Sequence, residues 1–203
     1  MPYTEFTFIA LGRIAKSAGV VRRTHIDVAQ RLMADLRLDA RDRTLAIAWF
    51  DSGKTPEFDF APLARACRET RNDRAVLNEM ALESLCIMAW VEGPPDPPCR
   101  HELERLAGLL GIGTLQLRAA ESRAVEHQRR QLPLDLRQAY QMLGVEHWVD
   151  DAELKLAYRR LMSRHHPDKL GTAAGVREAQ HAGENSIAIR KAYDFIRETR
   201  RSV

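Results

Sequence analysis

Apolar residues in the first half of the chain recur every three or four positions, which is the period of an amphipathic helix. Three such stripes occur, and their members are Ile26, Ala29, Met33 and Leu36, then Leu77, Met80, Ala81, Leu85 and Met88, then Leu103, Leu106, Ala107 and Leu110. Thr24 is a candidate N-cap for the first stripe, and Gly111 suits a left-handed C-cap after the third. Shorter helices are predicted over 45–51 and 60–71. Residues 1–117 are therefore predicted to form an all-α domain of about six helices.

Two segments interrupt this helical pattern. Between the second and third stripes, the run Pro94-Pro95-Asp96-Pro97-Pro98 predicts an extended turn, because proline cannot continue a helix. Residues 118–133 are polar and rich in arginine, and we interpret them as a charged helical linker. The ordinary interpretation of such a segment is a solvated helix face, and a binding surface is the alternative. A second unit is then predicted over residues 134–203.

The second unit is predicted to contain three helices. The first ends at Gly144, and Asp150 with Glu153 forms a capping-box pattern that begins the second. The apolar positions that define the three helices are Leu136, Ala139, Tyr140 and Leu143, then Leu154, Ala157, Tyr158, Leu161, Met162 and His165, then Ile189, Ala192, Tyr193 and Ile196. The third helix is expected to pack back on the second as an antiparallel hairpin.

The outer face of the second of these helices is a cationic strip, because no acidic residue falls between Leu154 and His165. Pro167 is predicted to end the helix and to leave His166 and Asp168 on an exposed turn. His165, His166 and Asp168 could instead bind a metal, but adjacent ligands on one turn rarely close a site. The strip could also bind phosphates, although it lacks the interleaved aromatic residues typical of nucleic-acid binding.

These residues together resemble the J domain of the DnaJ family. The matching positions are Tyr140, Leu143-Gly144-Val145, Leu154, Ala157-Tyr158-Arg159-Arg160-Leu161, His166-Pro167-Asp168-Lys169 and Ala192-Tyr193. The resemblance implies that the His-Pro-Asp loop contacts a DnaK-type heat-shock chaperone and stimulates its ATPase, while the basic helix docks on an acidic surface of that partner. The partner-binding residues it implies are Lys155, Arg159, Arg160, Arg164, His166, Pro167, Asp168 and Lys169.

Residues 1–117 resemble a TerB-like (tellurite-resistance B) helical domain, and the order of the two domains is similar to that of the DjlA family of bacterial co-chaperones. The residues that support this are Ala15-Lys16-Ser17, Gly19-Val20, His25-Ile26, Ala29, Leu32-Met33, Glu92-Gly93, Leu110-Gly111-Ile112 and His165–Leu170. TerB-like domains commonly carry acidic residues around two loop glycines. Here Ala18, His25 and Cys99 occupy three of those positions, and Glu92 alone is acidic. We therefore predict no metal and no cofactor, with His25 and Glu92 structural or exposed.

The composition of the chain limits the classes of partner and the cellular locations that we expect. The chain has 203 residues and a net charge of only +3, so no overall field favours nucleic acid or an anionic membrane. Three cysteines without a CxxC pair are typical of buried thiols in a reducing cytoplasm. DjlA proteins begin with a membrane-spanning segment, whereas this sequence contains no apolar run of the ~20 residues that a span needs. We expect a cytoplasmic location, or the cytoplasmic face of the inner membrane if an anchor has been removed.

The sequence contains no nucleophile–base pairing and no glycine-rich phosphate loop, so no intrinsic enzyme activity is expected. We predict a co-chaperone of a DnaK-type chaperone, in which the N-terminal domain selects a client, an envelope protein or a location. The alternative is a protein-interaction adaptor in which the J fold serves only as a scaffold.

Overall fold

The structure is a computed structural model that describes residues 2–165 and 176–201, and over 176–184 it describes the backbone alone. The described residues form helices, with no strand among them. The helices are α1 (Pro2–Ser17), α2 (Arg23–Asp35), α3 (Ala40–Gly53), α4 (Ala61–Glu69), α5 (Arg74–Trp90), α6 (Pro97–Leu109), α7 (Thr114–Gln131), α8 (Leu134–Leu143), α9 (Asp151–His165) and α10 (Val176–Arg201). They divide into two compact units, Met1–Gln128 and Arg129–Val203.

The first unit is built around α1. This helix is apolar on nearly every side, which is the pattern of a helix surrounded by others, and it packs against each helix from α2 to α6. Phe6, Phe8, Leu11 and Ile14 on α1 are completely buried. The core of the unit is therefore a cluster of large apolar side chains arranged about one central helix.

Two glycines allow α1 and α3 to cross at very short range. A Cβ atom placed on Gly12 would lie 1.9 Å from the carbonyl oxygen of Phe50, and one on Gly53 would lie 1.8 Å from that of Ile9. Both distances are far below van der Waals contact, and the obstructing atoms are backbone. The crossing thus requires residues without a side chain at both positions.

Three sequence predictions about helix starts were wrong. Helix α2 begins at Arg23, so Thr24 lies inside the helix and Arg22 is the N-cap. Helix α3 begins at Ala40, several residues before the predicted start at 45, since the Asp39 carboxylate accepts a hydrogen bond from the Asp42 amide. The last part of the proline run belongs to α6.

Helix α6 takes the last two prolines of that run as its first two residues, and Asp96 caps them by accepting from the Cys99 amide at 2.9 Å. Proline is favourable in the first turn because the amide it lacks would have no partner inside the helix. The other end of α6 follows the prediction, because Gly111 has a φ of +77° just beyond it.

Helix α7 runs through most of the predicted linker and buries one of its faces. Leu117, Ala120 and Ala124 are buried, and the buried Glu121 carboxylate accepts hydrogen bonds from the Trp90 indole (3.3 Å) and Arg100 (3.0 Å). The division between the two units falls near the end of this helix.

The cysteines all lie in the first unit, on α4, α5 and α6, and all are free and buried as predicted. Burial raises the pKa of Cys67 to about 11 and that of Cys86 to about 12. Burial also raises the pKa of Cys99. These thiols remain protonated at neutral pH and are poor nucleophiles.

In the second unit, α8 and α9 both pack against α10. The predicted apolar faces are confirmed, and the core they form contains Leu136, Leu143, Leu154, Ile189 and Ile196. Helix α8 ends, as expected, at Gly144, whose φ is +64°.

Candidate partner-binding site

The start of α9 is fixed by its own sequence. The Asp150 carboxylate accepts a hydrogen bond from the Glu153 amide at 2.7 Å, which confirms the predicted cap. Asp151 and Glu153 place negative charge in the first turn, where it is favourable to the helix dipole. Leu154 and Ala157 then bury the inner side of the helix.

Arg200 on α10 joins three parts of the second unit at this end of α9. Its guanidinium donates to the Tyr140 hydroxyl (3.2 Å), to the Asp151 carboxylate (2.7 Å) and to the carbonyls of His147 (3.3 Å) and Val149 (2.7 Å). It also lies 5.7 Å from the centre of the Tyr140 ring. The position of Arg200 in the sequence gives no sign of this role, because all its partners are distant along the chain.

The middle and the end of α9 are held by two further contacts with α10. The rings of Tyr158 and Tyr193 stack with centroids 4.3 Å apart and an angle of 18° between their planes. The Ser186 hydroxyl donates to the His165 carbonyl at 2.7 Å. The helix is therefore fixed along its length, up to the residue that precedes the His-Pro-Asp tripeptide.

The outer side of α9 carries the predicted cations, and all four are exposed. They are Lys155, Arg159, Arg160 and Arg164. Among the residues that the structure describes, none of the four has a carboxylate within 4 Å. The other four predicted residues, His166, Pro167, Asp168 and Lys169, lie outside the described residues. The structure thus gives the geometry of the basic helix and of the residues that hold it in place.

The two loops singled out in the first unit are joined by hydrogen bonds. The Glu92 carboxylate accepts from the Arg22 guanidinium and, at 2.7 Å, from the Thr24 hydroxyl. His25 is 2% exposed, and its Nδ1 accepts from the Arg22 amide at 3.1 Å. Burial lowers the pKa of His25, so the neutral ring that can accept this bond is favoured. His25 and Glu92 accordingly have structural contacts here.

In the second unit His147 is half-buried. Its ring lies edge-on to Tyr140 and to Trp148, with centroids 6.5 Å and 4.7 Å away, and burial lowers its pKa.

Over the described residues 2–165 and 176–201, no three His, Cys, Asp or Glu side chains are grouped as metal ligands would be. In the same part of the chain, no helix is long and apolar enough to cross a membrane.

Comparison with known proteins identifies the relatives of this chain. The family model of the DnaJ domain matches residues 138–202. The chain is 33% identical to the co-chaperone protein DjlA of Shewanella oneidensis over 96% of its own length and 76% of that relative. DjlA of Photorhabdus laumondii (33% identical, 94% and 77% covered) and of Coxiella burnetii (31%, 97% and 77%) are similar to the same extent. The chain belongs to the DjlA co-chaperone family.

The helices of the described residues and the DnaJ match confirm the predicted all-α architecture with a J domain in its C-terminal part, and membership in the DjlA family confirms that the chain is a J-domain co-chaperone. In this DjlA family member the matched DnaJ region contains α9 and its four exposed cations. No solved structure matches the chain.

Proposed function

We propose that this DjlA family member binds a DnaK-type heat-shock chaperone and stimulates its ATPase through His166, Pro167 and Asp168, with the outer face of α9 as its docking surface. One observation carries the proposal. Within a DnaJ-matched unit, α9 holds four exposed cations without described carboxylate partners, and it leads directly to the tripeptide.

The charge arrangement suits a brief encounter with an acidic surface. Exposed cations speed and orient association, and salt largely screens their attraction at separations beyond a Debye length, which is about 8 Å at physiological ionic strength. Lys169 would extend the same positive surface beyond the tripeptide. Asp168 would supply a charged acceptor that favours the hydrolysing conformation of the partner, since a bound protein shifts an equilibrium only by contacts that differ between its two states. The groups that cleave ATP belong to the partner.

The remaining parts of the chain take the roles that the resemblance suggests. Residues 1–117 act as a TerB-like domain that selects a client, an envelope protein or a location, residues 118–133 link it to the J domain, and residues 134–203 form that domain. The encounter takes place in the cytoplasm, which suits a protein with three free cysteines.

Single-turnover ATP hydrolysis by the cognate DnaK-type chaperone tests the role of the tripeptide. The wild type should accelerate hydrolysis, and Asp168→Asn should remove nearly all of the acceleration. Asp194→Asn is the matched control, because Asp194 is an exposed aspartate on α10, and it should behave like the wild type. If the wild type has no effect, or if Asp168→Asn accelerates equally, the proposal fails and the adaptor alternative is favoured.

Affinity measurements test the role of α9. The double variant Arg159→Gln/Arg160→Gln should bind the ATP-bound chaperone more weakly and with a smaller dependence on salt, because two cations are lost from the surface. Arg41→Gln/Arg65→Gln removes two exposed arginines from the first unit and should leave binding unchanged. Equal losses in the two double variants would mean that only net charge matters, and α9 would not be the docking surface.

A further inference from the structure

The outer face of α9 contains a leucine at its centre. Leu156 is 67% exposed, whereas Leu154, two residues earlier, is buried. Two residues correspond to about 200° of rotation around the helix, so the two side chains lie on opposite faces. The side chain therefore points away from the core formed with α10. Ala152 and Ser163, which are also exposed, lie on the same line along the helix. We call this line of Ala152, Leu156 and Ser163 the α9 seam.

The four cations flank the α9 seam in two rows. Lys155 and Arg159, four residues apart, lie on one side of Leu156, and Arg160 and Arg164, also four apart, lie on the other. A surface that fits this helix must therefore offer two lines of negative charge with a less polar strip between them. A uniformly acidic surface would leave the leucine against carboxylates and would lose hydration without an apolar contact in return.

A single exposed leucine is common on protein surfaces and needs no special explanation. The placement of Leu156 is what distinguishes it, since any partner held by the two cationic rows must cover the residue between them. Charge complementarity with the two cationic rows thus determines which partner binds this face of α9. Because Leu156 lies between the rows, that partner must also contact the leucine.

We propose that Leu156 is a specificity-determining contact of this docking face: the ATP-bound DnaK-type chaperone receives it in an apolar patch bordered by acidic residues. This inference rests on the proposed function, because it takes the same partner on the same helix. The cations set the rate and orientation of the encounter, and Leu156 adds affinity for those chaperones whose acidic surface includes the patch.

Salt separates the two kinds of contact. Binding of the cognate ATP-bound chaperone is measured at 50 and 300 mM KCl for the wild type, Leu156→Gln and Leu156→Met. Leu156→Gln should raise Kd roughly ten-fold at both salt concentrations, since burial of apolar surface does not depend on ionic screening. Leu156→Met keeps an apolar side chain of similar volume and should stay within about two-fold of the wild type.

The chain offers a matched control in Leu115→Gln. Leu115 lies on α7 in the first unit and is 82% exposed, so this change removes a similar exposed apolar side chain from the other unit and should leave Kd unchanged. Glutamine is a good helix former, and thermal unfolding followed by circular dichroism checks that each variant folds like the wild type. If Leu156→Gln lowers the unfolding midpoint, the comparison is made with Leu156→Lys, which should weaken binding although it adds a cation.

The outcomes distinguish a failure of the role of Leu156 from a failure of the proposed co-chaperone function. Wild-type stimulation that is lost in Asp168→Asn, together with equal Kd for Leu156→Gln and wild type, overturns the role of Leu156 and leaves the proposed function intact. An effect of Leu156→Gln that disappears at 300 mM KCl also overturns it, because the contact would then be electrostatic. No binding or stimulation by the wild type overturns both.

Discussion

The two units of this protein are stabilised in different ways. In the first, large apolar side chains surround α1, and aromatic rings such as Phe6 and Phe60 pack edge to face with centroids 5.8 Å apart. In the second, three helices share a smaller core, and polar or aromatic contacts from Arg200, Ser186 and Tyr193 fix α9 in place. The second arrangement holds a helix from one side only.

The proposed function accounts for this difference. A helix that presents cations to a partner, as we propose for α9, cannot be surrounded, so its position has to be set from its inner face and its two ends. A close-packed core responds mainly to changes in volume, whereas directed hydrogen bonds respond to the loss of a single donor. We therefore expect the two units to differ in their sensitivity to substitution, and four measurements test this.

The largest effect is expected at the α1–α3 crossing. Gly12→Ala would place a methyl group against the backbone of Phe50, and we expect a loss of about 3 kcal/mol in the free energy of unfolding, measured by urea denaturation followed by circular dichroism. Gly108→Ala is the control, because open space surrounds that helical glycine and the change should stabilise by up to about 1 kcal/mol. Equal effects of the two substitutions would refute the close crossing.

Arg200→Leu should produce the next largest effect, confined to the second unit. We expect a loss of about 2 kcal/mol, because two backbone carbonyls lose their donor. The ion pair with Asp151 adds little, as the aspartate is 82% exposed.

Trp148 fluorescence in a Trp49→Phe/Trp90→Phe chain reports unfolding of the second unit alone, since Trp148 is the one tryptophan there. Arg201→Leu, at an exposed neighbour, should change stability by less than about 0.5 kcal/mol. A similar loss in both variants would mean that the Arg200 contacts are not stabilising.

Ser186→Ala should have a smaller effect, of about 1 kcal/mol, because one hydrogen bond to the His165 carbonyl is removed. The same Trp148 signal measures it. Thr199→Val is the control in the same unit, since the Thr199 hydroxyl donates within its own helix, to the Phe195 carbonyl, and such bonds add little to helix stability. If Ser186→Ala has no effect on stability, the end of α9 is held by other contacts.

The smallest effect concerns pH, and it should occur in both units. Burial lowers the pKa of His25 in the first unit and of His147 in the second, so the unfolded chain binds protons more readily than the folded one. Stability should therefore fall as pH drops below about 6.5, the usual pKa of histidine, and level off below the lowered folded values. His25→Gln should reduce this pH dependence in urea denaturation. A variant with an unchanged pH dependence would show that His25 does not contribute.

Much of the fold could be predicted from the sequence, because several helices have strong local signals. The apolar stripes of α2, α5 and α6 are long and regular, and Asp150 and Gly144 are residues typical of helix boundaries. The His-Pro-Asp tripeptide could be interpreted as part of a J domain because a basic amphipathic helix precedes it. For these helices and their boundaries, both the sequence pattern and the structure depend on neighbouring residues only.

The features that the sequence did not predict depend on tertiary contacts. Helix α7 buries Ala120 and Ala124, and alanine gives too weak a hydrophobic signal to mark a buried face in an arginine-rich segment. Leu45 and Ile47 are exposed on α3. The predicted start at residue 45 was based on this apolar cluster, and the cluster does not mark the beginning of the helix. Arg200 looks like an ordinary terminal cation until its partners are brought together by the fold.

The distribution of cysteines makes the two units separately observable. All three thiols are buried in the first unit, at elevated pKa, so a thiol-specific reagent such as a disulfide dye can react only after that unit opens. The rate of labelling would then follow opening of the first unit, and it can be measured while the J unit is bound to a partner. The natural cysteines therefore report opening of the first unit without any added label.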